Sequence, residues 1–190
     1  AMKAARPARL SKTLALVPPT VALMAQHASG AFDAYMKIGD IKGEATEPKH
    51  LEWVELKSVQ WGVARAISSP TSGSQREASN PSFSEVTVAK DLDRSSPAIF
   101  LQAVSTGTPI PTVTLDLVDG ASGAVFYRLT LVDVLVSSQS QSAMTGDGKP
   151  QESVSLNFAK IEIEYFGTSK DGSTGTSKVS FDLTKNTSKS

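Results

Sequence analysis

The stretches VFYRLTLVDVLV (125–136) and VSLNFAKIEIEY (154–165) decide the fold class. In the first, Val125, Tyr127, Leu129 and Leu131 share one parity and give way to Val132, Val134 and Val136 on the other; in the second, Val154, Leu156 and Phe158 give way to Ile161, Ile163 and Tyr165. Alternation with a period of two marks a half-buried strand, because successive side chains point to opposite faces. A change of parity midway turns every later side chain to the other face unless the strand bulges or bends. A third switch lies at Lys57-Ser58, where Val54 and Leu56 are followed by Val59, Trp61 and Val63. Long strands that change face are what a closed barrel or an orthogonal sandwich needs at its corners.

The rest of the chain outward from these strands agrees. Phe32 to Ile38 reads as a first strand ended by Gly39-Asp40, and Val86 with Val88, Val113 with Leu115 and Leu117, and Val179 with Phe181 and Leu183 supply shorter alternating runs. One segment breaks the pattern: Ser95-Ser96-Pro97 opens SSPAIFLQAV, in which Ile99 and Ala103, and Phe100 and Val104, stand four apart. A serine before proline predicts an N-cap and a preset first turn, so 95–104 is expected to be one short helix whose apolar stripe packs on the barrel. The expectation is mainly β: a compact β-barrel of two packed antiparallel sheets, seven or eight strands and one short flanking α-helix.

At 190 residues the chain has room for one ordinary domain and a tail. It has 19 basic and 19 acidic residues, so net charge offers no footprint for nucleic acid or an anionic membrane. Cysteine is absent, which excludes disulfides, thiolate metal sites and cysteine nucleophiles. Residues 1–30 hold Lys3, Arg6, Arg9 and Lys12 and no acid, which places a boundary near Gly30 and leaves 31–190 acidic. Basic residues followed by the apolar run LALVPPTVALM (14–24) follow the order of a secretory signal, but Pro18-Pro19 breaks that run and no clear cleavage site follows. Residues 1–30 are therefore expected to be a weakly ordered or signal-like extension, with Ala1 before Met2 a cloning remnant, and 31–190 the folded domain. No apolar run reaches the roughly 20 residues that a spanning helix needs, so membrane insertion is not expected.

Chemistry is sought in the remaining polar residues. His27 lies in the extension and His50 in a charged loop, where a lone histidine is expected to be solvated. That leaves no two-histidine metal site and no base for a serine triad, and there is no G-x-S-x-G elbow. The pairs Asp91 and Asp93, Asp116 and Asp119, and Glu162 and Glu164 read as solvated faces rather than a dyad across a cleft. No phosphate-binding glycine loop is present. Trp53 and Trp61 flank alternating apolar positions and read as core or interface residues rather than as a stacking platform. No catalytic, cofactor or metal site is expected. Three polar segments interrupt the strands: 67–82 (ISSPTSGSQREASNPS), 138–151 (SQSQSAMTGDGKPQ) and 167–178 (GTSKDGSTGTSK). The first exceeds ordinary hairpin length, so it reads either as an arm that reaches a neighbour or as a free excursion.

Several blocks taken together resemble the Hcp family, the tube proteins of the bacterial type VI secretion system. They are AFDAYMKI (31–38) with IKGE (41–44), Lys49-His50 before Trp53, Trp61-Gly62-Val63, FSEVTVAKDL (83–92), the Ser96-Pro97 helix and ESVSLNFAKIEIEY (152–165). The likeness covers essentially 31–190. It implies a non-enzymatic protein that closes into hexameric rings, which stack into a hollow tube. It also implies a contractile sheath around that tube, the spike protein VgrG at its tip and effector proteins in its lumen. Such a protein is held in the bacterial cytoplasm before firing and then secreted. By the same resemblance the arm touches an adjacent subunit or ring, which makes Pro70, Thr71, Ser72, Gly73, Ser74, Gln75, Arg76 and Glu77 the candidate inter-subunit loop. The tail after Leu183 leaves no room for a catalytic domain, so effectors are expected to bind noncovalently. The alternatives from other classes are a secreted ligand- or carbohydrate-binding β-barrel and a cryptic hydrolase.

Overall fold

The computed structural model describes residues 31–68, 76–105, 107–146, 148–168 and 174–190. The extension 1–30 lies outside them. Among the described residues there are eleven strand segments, one 3-10 turn and one α-helix. They run β1 (Phe32–Ile38), the 3-10 turn Pro48–His50, β2 (Val54–Leu56), β3 (Ser58–Gln60), β4 (Val63–Ala64), β5 (Ser82–Phe83) and β6 (Val86–Asp91). Then follow α1 (Ser96–Val104), β7 (Ile110–Asp119), β8 (Val125–Ser142), β9 (Gln151–Thr168), β10 (Thr174–Asp182) and β11 (Thr187–Lys189). The strand count exceeds the sequence expectation because 54–64 breaks into three short pieces and because β5 and β11 are only two or three residues long.

All pairings are antiparallel among the described residues, and nine strands form one hydrogen-bonded sheet, seven of them in the order β11-β10-β9-β8-β7-β1-β2. The free side of β9 is shared: Gln151–Leu156 pair with β6, and Lys160–Thr168 pair with β10. β3 then adds to β6. Because β2 and β3 are consecutive pieces of one segment, residues 54–60 run from β1 to β6, with the Lys57 amide donating to the Ala89 carbonyl at 2.7 Å. This bend at Lys57 is the face switch expected there. The strand changes partner at that point, so its inward parity changes with it.

The other two switches belong to a single corner. Ile110, Val134 and Phe158 lie side by side across β7, β8 and β9 and are buried, as are Val113, Leu131 and Ile161 one level along. In each strand the two buried residues are three apart, so all three strands turn their inward face at the same height. Of the bulge or bend that such a switch requires, the bend is the device used here. Register runs unbroken through the corner, and the one shift between β8 and β9 falls later, between Val136 and Ser138. In β8 the reversal is made by Asp133, whose φ of 52° is left-handed, a region that aspartate tolerates better than β-branched residues do. Asp133→Val is therefore expected to destabilise the protein by about 1–3 kcal/mol and Asp133→Gly to cost little, as read by urea denaturation. Equal behaviour of the two variants would remove the backbone explanation.

Met36, Ile38, Val54, Val86, Val88, Ile99, Leu115, Leu129, Leu131, Val154 and Leu156 are all essentially inaccessible and form the main core inside the curl of the sheet. A smaller cluster of Tyr35, Ala45 and Val118, flanked by Trp53 and Val125, sits on the other face. It exists because residues 43–53 cross over that face.

α1 spans the expected residues, but its start differs. The Ser95 side chain does not cap it; Asp93 Oδ1 accepts from the Ser95 amide at 2.8 Å, and Ser96 Oγ accepts from the Asp93 amide at 3.1 Å. Of the apolar stripe, Ile99 is buried and Ala103 half-buried against the core, whereas Phe100 and Val104 face outward, with 56% and 58% exposure. The polar segments are also shorter than expected. β8 continues to Ser142 and β9 starts at Gln151, because each long strand supplies the other's ladder and serine and glutamine are tolerated once partnered. At the opposite end, β9 reaches Thr168 and β10 begins at Thr174, and residues 169–173 between them lie outside the described residues.

Candidate assembly surface

The expected arm at 67–82 begins earlier than the sequence suggests and has a ribbon for its stem. β4 pairs with β5, Val63 opposite Phe83 and Ala64 opposite Ser82, and an isolated bridge joins Ile67 to Ala78. The Ser68 amide donates to the Glu77 carbonyl at 2.9 Å, and the Ser79 amide to the Ala66 carbonyl at 2.8 Å. Serine side chains reinforce the pairing: Ser79 Oγ accepts from the Ala66 amide at 3.0 Å and Ser68 Oγ from the Glu77 amide at 2.9 Å. Of the candidate inter-subunit loop, Pro70, Thr71, Ser72, Gly73, Ser74 and Gln75 lie outside the described residues. Arg76 and Glu77 are described and exposed.

The root of the arm is fixed. Phe83 packs edge-on to Phe158, with centroids 6.4 Å apart, and against Phe181 at 5.0 Å, while Trp61 lies partly buried against the main core. Beyond the root the stem is bare, with Val63 and Ile67 each 56% exposed. A two-stranded ribbon with no third layer is marginal in water, so this element is built to be covered.

Two buried polar networks hold the elements around it. Lys90 on β6 is inaccessible, and its Nζ donates to Glu152 Oε1 on β9 at 2.6 Å, to Asp93 Oδ1 at 2.8 Å and to Ser96 Oγ of α1 at 3.2 Å. Gln139 and Gln141 of β8 donate to Glu152 Oε2 at 2.6 and 3.1 Å. Burial alone would raise the Glu152 carboxyl, but the donors from Lys90, Ser96 and Gln139 outweigh it and hold the group below the usual glutamate range. The second network centres on His50, which is 2% exposed rather than solvated. The segment carrying it folds over the sheet, stacks the ring on Tyr35 at 4.6 Å and sets it against Asp116 on β7.

The carboxylate pairs singled out in the sequence are engaged in structure. Asp91 pairs with Lys57 at 3.2 Å and Asp93 with Lys90, while Asp116 accepts two bonds from Arg128 on β8, at 2.6 and 2.7 Å. Asp119 ties its own turn: its Oδ1 accepts from Ser122 Oγ and from the Ser122 and Ala121 amides, which lowers its titration. Glu162 and Glu164 lie on the outer face as expected, clamped by Lys178 of β10 at 2.7 and 3.1 Å, and the two carboxylates raise the titration of that lysine. Trp53 meets His50 edge-on at 4.7 Å and packs against the smaller cluster, and Trp61 packs against the main core, so both are packing residues. No helix among the described residues is long and apolar enough to cross a membrane.

These features define a structural protomer: its charged groups hold elements in place, and the ribbon that β4 and β5 begin leaves Val63 and Ile67 exposed. Over residues 35–165 the chain matches the family model for the type VI secretion system effector Hcp, and it belongs to that family of structural, non-enzymatic tube proteins. It is similar to Protein hcp1 of Pseudomonas aeruginosa, at 29% identity over 145 residues, covering 75% of this chain and 88% of the relative. Among solved structures it is similar to a type six secretion system protein, at 27% identity and a TM-score of 0.77, covering 84% of this chain and all of the other. Hcp1 from Salmonella typhimurium matches at 28% identity and a TM-score of 0.68, covering 83% and 99% of the two chains. Family membership sets aside the ligand-binding barrel and the hydrolase.

Proposed function

We propose that the protein is the subunit of the inner tube of a type VI secretion system, closing into hexameric rings that stack into a hollow tube. In this reading residues 31–190 are the Hcp-like barrel domain and 1–30 an added extension. The tube waits in the bacterial cytoplasm inside a contractile sheath, carries the VgrG spike at its tip and effectors in its lumen, and is secreted on firing. The observation that supports it best is the bare stem 63–68 with 77–83, whose exposed Val63 and Ile67 await a surface from another copy. A closing ring needs two different patches on one protomer, and an arm on one side supplies the first.

The loop from Pro70 to Glu77 then sits at the end of the arm and touches the adjacent subunit or ring. Deleting Pro70–Asn80 is expected to leave the far-ultraviolet spectrum and the unfolding midpoint nearly unchanged, because Phe83 and Trp61 keep the root in the core. Stacked rings seen in negative stain are expected to be lost. Stacking that survives the deletion would reject the role of the arm.

A further inference from the structure

α1 packs across β8 with Ile99 and Ala103 turned to the core, and a groove of about 520 Å³ remains between the helix and the start of β7. Its lining is mainly apolar: Ile38 and Ile41 from the end of β1, Pro109, Ile110 and Pro111 from the start of β7, and Ala98 from the helix. Leu101 and Val104 follow Ala98 at steps of three along α1, so the apolar surface continues out of the groove and over the exposed flank of the helix. Proline on both sides of Ile110 removes the amide donors at 109 and 111, so this rim cannot take an added strand. It can take side chains.

The arm offers side chains that suit it. Val63, Arg65 and Ile67 share one parity on the stem, and all three are exposed. Asp40 stands exposed on the rim of the groove. Lys42 on the same rim is held by Glu52 at 3.0 Å, whereas Asp40 has no ion-pair partner among the described residues, and neither has Lys37 in the adjoining hollow nor Arg65 on the arm. An apolar-cation-apolar stem therefore faces an apolar groove with an unpaired acid at its rim. The two features also lie apart on the protomer. The arm is rooted on β9 and β10 through Phe83, the groove lies at the ends of β1 and β7, and β8 runs between them in the sheet.

We propose that the groove between α1 and the start of β7 receives the arm of a second copy of this chain, with Val63 and Ile67 seated against the helix and the prolines and Arg65 paired with Asp40. The seat rests on the tube reading for its partner, and it supplies the second of the two different patches that a closing head-to-tail contact needs.

The chain has no cysteine, so introduced thiols report on this contact alone. Full-length Ile67→Cys is mixed with full-length Thr108→Cys, which places one thiol on the stem and one in the groove, and treated with a short bis-maleimide. A heterodimer is expected from the mixture and none from either variant by itself. A chain carrying both thiols should give a ladder that ends at six. Arg65→Asp in the first chain, or Asp40→Arg in the second, should each lower the heterodimer yield about tenfold, and the two together should restore it, because like charges at a rim repel and a swapped pair attracts. Urea midpoints should not move, since both residues are exposed. Rings in negative stain without a heterodimer would overturn the seat and leave the tube reading standing. A heterodimer whose ladder runs past six would uphold the seat and overturn the closed ring. Thiols joined only within one chain would place the arm on its own groove and overturn the seat, and a yield indifferent to both charge reversals would overturn the pairing of Arg65 with Asp40. A solitary protein that forms neither cross-link nor ring would overturn both readings.

Discussion

Glu152→Ala is expected to remove about 3–5 kcal/mol of stability, since breaking one side of a buried ion pair strands the other charge. The stranded group is Lys90, which keeps Asp93 Oδ1, the Asp91 carbonyl and Ser96 Oγ as partners but loses the contact at 2.6 Å. Gln139 and Gln141 lose their acceptor at the same time, so β6, β8, β9 and the start of α1 are loosened together. The double variant Lys90→Met with Glu152→Leu is expected to recover part of the loss, because similar volume is kept and the stranded lysine charge is removed, while Asp93 loses its cation and keeps the Ser95 amide as a donor. Urea unfolding reads both, and a single-variant loss below about 1 kcal/mol would show that the pair is not holding the fold.

The same pair sets a pH dependence. Burial pushes the Glu152 carboxyl up, but the bonds from Lys90, Ser96 and Gln139 more than reverse this, so it titrates lower in the native state than in the unfolded chain. A depressed carboxylate contributes fully above the ordinary glutamate range, near pH 4.3, and loses that contribution as pH falls through its native value. The slope of stability against pH in that acid window should be flatter in Glu152→Gln than in wild type. An unchanged slope would place the acid sensitivity elsewhere.

The second large effect is expected at Gly43. An added Cβ would press on the Trp53 carbonyl oxygen, 2.5 Å from the carbonyl carbon and 2.6 Å from Val54 Cα. All three are backbone atoms that cannot rotate aside. They are also in use, since the Gly43 amide donates to the Glu52 carbonyl at 2.8 Å and the Ala45 amide to the Trp53 carbonyl at 3.0 Å. The Gly43 carbonyl in turn accepts from Arg94 Nε at 2.6 Å, which ties this crossing to the approach to α1. Gly43→Ala should therefore cost about 3 kcal/mol or more through overpacking. At Gly107, where nothing lies within 4 Å of an added Cβ, the same change should stay within about 0.5 kcal/mol. Comparable midpoints for the two variants would contradict the close approach at Gly43.

Much of the fold was legible because parity is a local signal. The face switches in 125–136 and 154–165 were visible as residue spacing, and so was the one at Lys57, although the change of strand partner behind it was not. That β7 turns at the same height was hidden, because aligning Ile110 with Val134 and Phe158 requires register, which no single strand carries. The Lys90–Glu152 pair had a signal that went unread. Lys90 continues the inward parity of Val86 and Val88, and Glu152 that of Val154 and Leu156, so two opposite charges stood at inward positions on strands that pair. His50 had no such signal. Its burial comes from a loop folding over the far face of the sheet, and it meets Asp116, 66 residues later, only after β1 and β7 have paired. The arm was legible as a long polar segment, while its stem was not, since Val63 to Ser68 carries no strand pattern of its own.

The sharpest test of ring formation is the mass of the full-length protein by sedimentation velocity, with negative-stain images of the same sample. A hexameric species with a visible central hole, persisting on dilution, is the expected result. A single protomer at every concentration, with no annular particles, would contradict it.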